Sequence, residues 1–174
     1  PYNVYGGMQD NGNWSGPGYV WKRGGIRTLY WQYLVGGDGF YISPDSANAR
    51  FGYGTSQNGD LYRYDKLTGY YQSIQPKTDK DVRLRFNWDA SFARDLNDQD
   101  VAYYGSQFVH KTTDRGKTWK IISPDLTNNN PEQQKQDYGG LTIDASGAEF
   151  YNAILTIAPS PLDENVIWVG TDDG

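Results

Sequence analysis

The sequence predicts an all-β chain of repeating, short-stranded units, and three observations carry that prediction. Aromatic residues make up 16% of the 174 residues, and 21 glycines punctuate them, a composition suited to strands joined by tight turns. No window of about a dozen residues carries an apolar stripe at helical spacing. Four segments repeat one phrase: a polar turn ending in Asn or Asp, a short β-rich run, then Gly, usually followed by a small hydroxyl residue. The glycines of the phrase are Gly7, Gly54, Gly105 and Gly170, spaced 47, 51 and 65 residues apart. A period of about 40 to 50 residues with four short strands per unit is β-propeller spacing.

The first copy of the phrase is Asn3-Val4-Tyr5-Gly6-Gly7. An irregular, glycine-rich stretch over residues 10–25 follows and carries Trp14, Tyr19 and Trp21. Within it Asn13-Trp14-Ser15 has the form of a glycosylation sequon and is read as a chance match. The second unit is expected to place its innermost strand at 34–42 and the others at 50–54, 60–64 and 70–74. Its phrase, Ser43-Pro44 with Asn48 and Tyr53-Gly54-Thr55, lies directly on Ser160-Pro161 with Asn165 and Val169-Gly170-Thr171 near the end of the chain. The third unit is expected to run 85–93, 101–105, 108–112 and 119–122, inner to outer. Residues 123–146 form an inserted loop, polar throughout 128–136, where Asn130-Pro131-Glu132 suits the start of one or two surface helical turns. Approximate repeats are thus 1–30, 31–80, 81–150 and 151–174. The reading is a partial propeller of about three four-stranded antiparallel blades, truncated at both ends, whose partners include the remaining blades of a parent chain.

Between the third and fourth strands of the third unit lies Thr112-Thr113-Asp114-Arg115-Gly116-Lys117-Thr118-Trp119. Asp114 suits acceptance of backbone N–H groups one or two residues on, Gly116 a positive φ that closes the loop, and the threonine hydroxyls the remaining polar groups. Trp119 enters the next strand as an apolar anchor with one polar handle. The pattern Ser/Thr-x-Asp-x-Gly-x-Thr-Trp resembles the Asp-box of the bacterial neuraminidase (BNR) repeat, and Thr112, Asp114, Gly116, Thr118 and Trp119 fill its positions. Its polar atoms are consumed locally, so it reads as a structural device. The second unit has Asp65-Lys66-Leu67-Thr68-Gly69 in that place, without the Trp.

Longer phrases carry a wider resemblance. Tyr5-Gly6-Gly7-Met8-Gln9-Asp10-Asn11-Gly12, Gly36-Gly37-Asp38-Gly39-Phe40, Arg85-Phe86-Asn87-Trp88, Ile122-Ser123-Pro124-Asp125-Leu126-Thr127 and Val169-Gly170-Thr171-Asp172-Asp173-Gly174 resemble the sortilin-type propeller proteins of bacteria, often labelled BNR-repeat glycosyl hydrolases. The resemblance implies an arc of a propeller of seven or more blades, in a chain that is secreted or associated with the cell envelope.

Composition narrows the chemistry. The absence of cysteine removes disulfides, thiolate metal sites and a cysteine nucleophile. A net charge of -5 without a long basic run leaves no electrostatic footprint for nucleic acid or an anionic membrane. No apolar run approaches the ~18 residues of a membrane span. His110 is the single histidine, so a serine relay would have to pass through it and a multi-imidazole metal site is excluded. It reads as a strand histidine, packed or solvated. No metal and no cofactor is expected.

Carboxylates remain. Glycoside hydrolysis needs two carboxyl groups held about 5 to 10 Å apart. Asp38, read as an inner-strand residue, and Asp172 and Asp173, in the turn after a second strand beside the equivalent Asp10, are the candidates for converging on a propeller funnel. Aspartates beside glycines serve in the two-propeller xyloglucan-cleaving enzymes, a related Asp-box family, where the two acids come from separate propellers. The competing reading of Asp-Gly and Asp-Asn-Gly is tight-turn chemistry. Arg27, Arg63, Arg83 and Arg85 show no spacing that singles out a sialidase arginine triad, and sialidase activity is disfavoured. Arg85 and Trp88, with Phe86 between them, form a basic-aromatic cluster suited to stacking on sugar or peptide, with core packing as the alternative use of Trp88. The expectation is a binding or scaffold module recognising a glycan, peptide or protein. The alternative is a glycoside hydrolase acting on polysaccharide, with no catalytic residue fixed by the sequence.

Overall fold

The computed structural model describes residues 2–78, 81–135 and 150–174. Among them the regular structure is all antiparallel strand, with two single-turn 3-10 segments and no α-helix. No helix among the described residues is long and apolar enough to cross a membrane. The chain divides into two compact units that meet at Ile74 and Gln75 in the sequence.

The first unit holds two sheets. β1 (Asn3–Met8), β2 (Gly12–Pro17) and β3 (Gln32–Val35) pair in the order β1-β2-β3, while β4 (Ile42–Pro44), β5 (Phe51–Ser56), β6 (Asp60–Asp65) and β7 (Tyr70–Ser73) form a four-stranded meander. The β1–β2 turn closes with the Asn11 N–H on the Met8 carbonyl at 3.1 Å, with Asp10 and Gly12 at φ 63 and 73°. Residues 34–42, expected as one inner strand, are two. Leu34 and Val35 finish β3 in the first sheet, and Ile42 opens β4 in the second. The chain breaks between them because Gly37 takes φ 87°, where a side chain would also collide with Ser56. Asp38 therefore lies in the connecting bend and not on the strand. Leu34, Val35 and Tyr64 form the core between the two sheets, with Tyr5, Ile42 and Tyr62 packed against it.

The second unit repeats the scheme. β8 (Phe92–Arg94), β9 (Ala102–Gly105), β10 (Val109–Thr112) and β11 (Lys120–Ile121) form a four-stranded sheet, and β12 (Ile154–Pro159) pairs with β13 (Ile167–Thr171). The inner strand expected at 85–93 begins only at Phe92. Asn87 accepts the Asp89 N–H at 3.1 Å, which turns the chain at Trp88 and Asp89 instead of extending it. Ala93, Val101, Tyr103, Val109, Ile154 and Ile157 form the core between these sheets, with Ile167 and Val169 against it. Each large side chain so buried contributes roughly 1.5–3 kcal/mol.

The repeated glycine has a physical reason. Gly7, Gly54, Gly105 and Gly170 sit on β1, β5, β9 and β13, the last three each next to the first strand of its sheet. A Cβ on Gly105 would come within 2.7 Å of Ile154 on β12, and one on Gly7 would run into the backbone of Phe40 ahead of β4. At these two positions the next sheet's inner strand, or the segment leading into it, approaches too closely for a side chain, whereas a Cβ on Gly54 would face Val35 on β3 at 3.0 Å and one on Gly170 would face Thr156 of its own partner strand at 2.8 Å.

Two local expectations resolve here. Asn13 is fully buried and donates its amide to the Thr55 carbonyl at 3.0 Å, so the sequon is closed to modification in the folded chain. In the inserted loop Asn130 accepts the Glu132 N–H at 2.9 Å and forms a single turn, shorter than a helix. The part of the loop from residue 136 to 146 lies outside the described residues.

Candidate functional site

The turn at 112–119 spends the side-chain oxygens of Thr112, Asp114 and Thr118 on itself. Thr112, buried at the end of β10, donates to Asp114 Oδ1 at 2.8 Å and accepts the Gly116 N–H at 2.9 Å. Asp114 accepts the Thr118 N–H at 2.9 Å and the Thr118 hydroxyl at 2.6 Å. The Thr118 bonds, more than any other cause, pull the Asp114 carboxyl down to about 2. Arg115 and Gly116 supply the positive φ values, 63 and 85°.

A second device recurs after the second strand of three sheets. Gln57 Oε1 accepts the Asp38 N–H at 2.6 Å, Gln107 Oε1 accepts the Arg85 N–H at 2.8 Å, and Asp172 Oδ1 accepts the Ala153 N–H at 3.1 Å. In each case a polar side chain beyond the repeated glycine holds the segment that leads toward an inner strand. Asp38 is also an acceptor, from the Asp10 N–H at 2.8 Å. The sequence offered no signal for the glutamines, because a Gln in a polar loop carries no periodicity.

In the second unit these tethers converge on a polar cluster. Arg85 donates through Nη2 to Asp125 at 2.8 Å and to Thr127 at 3.0 Å, and through Nε to the Asn152 carbonyl at 3.0 Å. Asn152 is the hub. Its backbone takes φ 61°, a conformation Asn tolerates better than most residues, and its side chain is fully buried. Its Nδ2 lies 2.8 Å from Asp173 and 3.0 Å from both Asn128 and Gln133, while its Oδ1 accepts from Gln134 at 2.9 Å. Two N–H hydrogens thus face three acceptors. Asp173 also accepts the Asn128 N–H at 2.8 Å.

The two adjacent aspartates are pushed apart. Burial raises the Asp172 carboxyl, and the neighbouring Asp173 charge adds to this against the hydrogen bond from Ala153. Burial also acts upward on Asp173, but the bonds from Thr171, Asn128 and Asn152 together outweigh it and leave Asp173 lowered. One carboxyl that keeps its proton longer beside one that releases it early is the division acid–base work requires.

Next to the cluster lies a cavity of about 320 Å³ lined by Asp81, Val82, Arg83, Arg85, Gln134, Phe150 and Tyr151. The Arg83 guanidinium stands 5.5 Å from the Phe150 ring centre. Arg85, named from the sequence, therefore reaches the cavity, and Gln134 connects its wall to Asn152. Trp88, named with it, is half-buried in the turn before β8 and does not line the cavity. His110 is buried, bonded through Nε2 to the buried Ser106 hydroxyl at 2.8 Å and stacked on Phe86 at 6.2 Å. Burial lowers it to about 4, so it is a neutral packed residue at ordinary pH, and no substrate reaches the Ser106–His110 pair. Among the described residues no group of three or more His, Cys, Asp or Glu side chains is placed to hold a metal ion.

No protein-family model matches the chain, and no curated protein matches it. Among solved structures it is similar to the GH74 xyloglucanase of Xanthomonas campestris, with 16% identity and a TM-score of 0.57. That likeness covers 99% of this chain and 24% of the xyloglucanase, so the chain spans about a quarter of that protein's length. At this identity the likeness is one of fold. The chain has the all-β, propeller-type architecture of four-stranded antiparallel sheets.

Proposed function

We propose that this chain is the ligand-recognising part of an exported propeller protein of the sortilin-type, BNR-repeat kind, and that its ligand is a glycan. One observation carries the reading: the cavity of the second unit brings two guanidinium groups together with Phe150 and Tyr151, beside a cluster that holds Arg85 at three points. Aromatic faces and fixed donors are what a sugar ring with its hydroxyls requires. The fold neighbour, a xyloglucanase, supports a glycan over a peptide or protein. Calorimetry with a panel of oligosaccharides and peptides tests it. Tyr151→Ala and Arg83→Ala are expected to weaken glycan binding by about tenfold each without changing the melting temperature, a loss of roughly 1.4 kcal/mol. Trp88→Ala is expected to have no effect on this site. Peptide binding with no glycan binding would overturn the reading.

The opposite shifts of Asp172 and Asp173 favour one further reading, hydrolysis of a polysaccharide, with Asp172 as acid and Asp173 as base. Both carboxyls are engaged by backbone N–H groups, which is why recognition is preferred. Release of reducing ends, abolished by Asp172→Asn, Asp173→Asn or Asp38→Asn with folding intact, would replace recognition by catalysis.

A further inference from the structure

The first unit carries a second feature that the cavity does not explain: the loop from residue 18 to 31 between β2 and β3. From Asn11 to Gly37 the sequence has no acid, yet it contains Lys22, Arg23 and Arg27, in a chain whose net charge is -5. The loop is also rich in exposed apolar side chains. Trp21 is 91% exposed and Leu29 73%, with Tyr19 and Ile26 exposed beside them in the sequence.

This loop is built and not merely loose. The Gly25 N–H closes on the Lys22 carbonyl at 3.1 Å, and Gly24 and Gly25 take φ 95 and 65°, which folds the tip back on itself. Arg27 Nη2 returns to the Arg23 carbonyl at 3.3 Å, and Lys22 Nζ lies 5.9 Å from the ring centre of Tyr30 on the opposite arm. Tyr19 and Trp21 meet edge to face, 4.9 Å apart and at 89°. Two crossed rings make a corner whose indole is 91% exposed, in a loop that also carries three cations.

An indole left in water forgoes burial worth several kcal/mol, at about 25 cal/mol per Å² over 150–250 Å². Scattered exposed hydrophobes need no explanation, but an exposed aromatic corner in a loop whose charges are all of one sign suits a ligand with a flat apolar face and anionic groups around it. A pyranose ring bearing carboxylate or sulfate has both. Its axial C–H face stacks on the indole, and its acid groups meet guanidinium forks.

We infer that residues 18–31 form a second carbohydrate site, specific for acidic polysaccharide, with Trp21 and Tyr19 as the stacking corner and Lys22, Arg23 and Arg27 as the anion-binding groups. It lies in the first unit, and the inference does not rest on the cavity of the second.

The experiment measures affinity for polygalacturonate, heparin, neutral xyloglucan, single-stranded DNA and vesicles of equal parts phosphatidylserine and phosphatidylcholine. The wild type is compared with Trp21→Ala, Trp21→Phe, the triple variant Lys22→Ala/Arg23→Ala/Arg27→Ala, and Arg83→Ala. At least one acidic polysaccharide is expected to bind and to weaken as salt rises. Trp21→Ala and the triple variant should each weaken it about tenfold or more, and Trp21→Phe should retain most of it. The loop is exposed, so all variants should melt with the wild type. The inference fails if neither acidic polysaccharide binds, if xyloglucan binds equally through the same loop, or if DNA or vesicles bind more tightly. It also fails if Arg83→Ala, and not the loop variants, removes acidic-polysaccharide binding.

Discussion

Two hairpins occupy the same place in their sheets and are fastened by different chemistry. In the second sheet of the first unit, Asp65 ends β6 opposite Phe51; in the second unit, Thr112 ends β10 opposite Ala102. At the first position a carboxylate looks across the hairpin. Asp65 takes Arg50 Nε at 2.7 Å and Nη2 at 2.6 Å, and caps its own turn through the Leu67 N–H at 2.9 Å. At the second a hydroxyl looks inward, and Asp114, two residues later, binds only the loop. The ion pairs run with opposite polarity. Arg50 before β5 reaches Asp65 at the turn, whereas Asp100 before β9 receives Arg115 from the turn at 2.5 Å. Such a turn can therefore lack the tryptophan and the strand-end threonine and still close, provided an aspartate meets a backbone N–H group at the bend and a charged pair ties the turn to the neighbouring strand.

The largest expected effect separates the two turns by what removal leaves behind. Asp114→Ala strips the acceptor from the Thr118 N–H and from two threonine hydroxyls, one of them on buried Thr112, and is expected to cost about 1 to 3 kcal/mol. Glycan affinity should not change, because the turn contributes nothing to the cavity. Thermal melts decide it, and equal midpoints for wild type and variant would remove this account of the motif.

A smaller effect is expected from Asp65→Asn, and salt tells it from the first. The Arg50 side chain is 40% exposed, so its pairing is screened, and the amide still accepts the Leu67 N–H. The melting shift of Asp65→Asn should shrink toward zero at about 1 M salt, whereas that of Asp114→Ala should persist. Equal salt dependence would mean that the two turns are fastened alike.

Acid sharpens the comparison further. Both aspartates are held below the usual carboxylate range, Asp65 chiefly by the Arg50 hydrogen bond and Asp114, at about 2, chiefly by Thr118. A depressed folded-state carboxyl contributes stability that is present above its unfolded value and lost as pH falls through its folded value. The amide shifts of Thr118 and Leu67 should thus stay in their neutral-pH positions at pH of about 3.5, where a free aspartate is already largely protonated. Thr118 should then move with a midpoint near 2. A midpoint near 4 for Thr118 would show that the hydrogen bonds to Asp114 are absent in solution.

What the sequence revealed of this molecule follows the same line between pattern and partner. The outer strands, such as β6 at Asp60–Asp65 and β7 at Tyr70–Ser73, were legible because alternation and turn residues are local, and the repeated glycines were legible because each has a close neighbour where a Cβ would stand. Inner strands were not. Leu34 and Ile42 read as one run because nothing local shows that Gly37 turns the chain between two sheets, and Asn87 bends a segment whose aromatic residues suggest extension. The site divides likewise. Arg85 stands out as a cation among aromatics, but the Gln107 and Asn152 that fix it are meaningful only through partners 22 and 67 residues away from Arg85. Trp88 shows the converse, a conspicuous side chain that ends in a turn.

The smallest effect expected concerns the reversed ion pair, and it tests whether the pair or the loop closes the second turn. Arg115 and Asp100 have side chains 47% and 50% exposed, more open than Arg50 and Asp65, and surface pairs of this kind contribute less than about 1 kcal/mol. The Arg115 N–H also binds the Asp100 carbonyl at 3.1 Å, a tie that a side-chain substitution leaves in place. Asp100→Ala should therefore barely move the melting midpoint, at low salt or high, while the Thr118 amide keeps its titration. If Asp100→Ala instead destabilised the chain as much as Asp114→Ala, the turn at 112–119 would depend on its neighbouring strand as the turn at 65–69 does, and the contrast between the two hairpins would collapse into one mechanism with its charges exchanged.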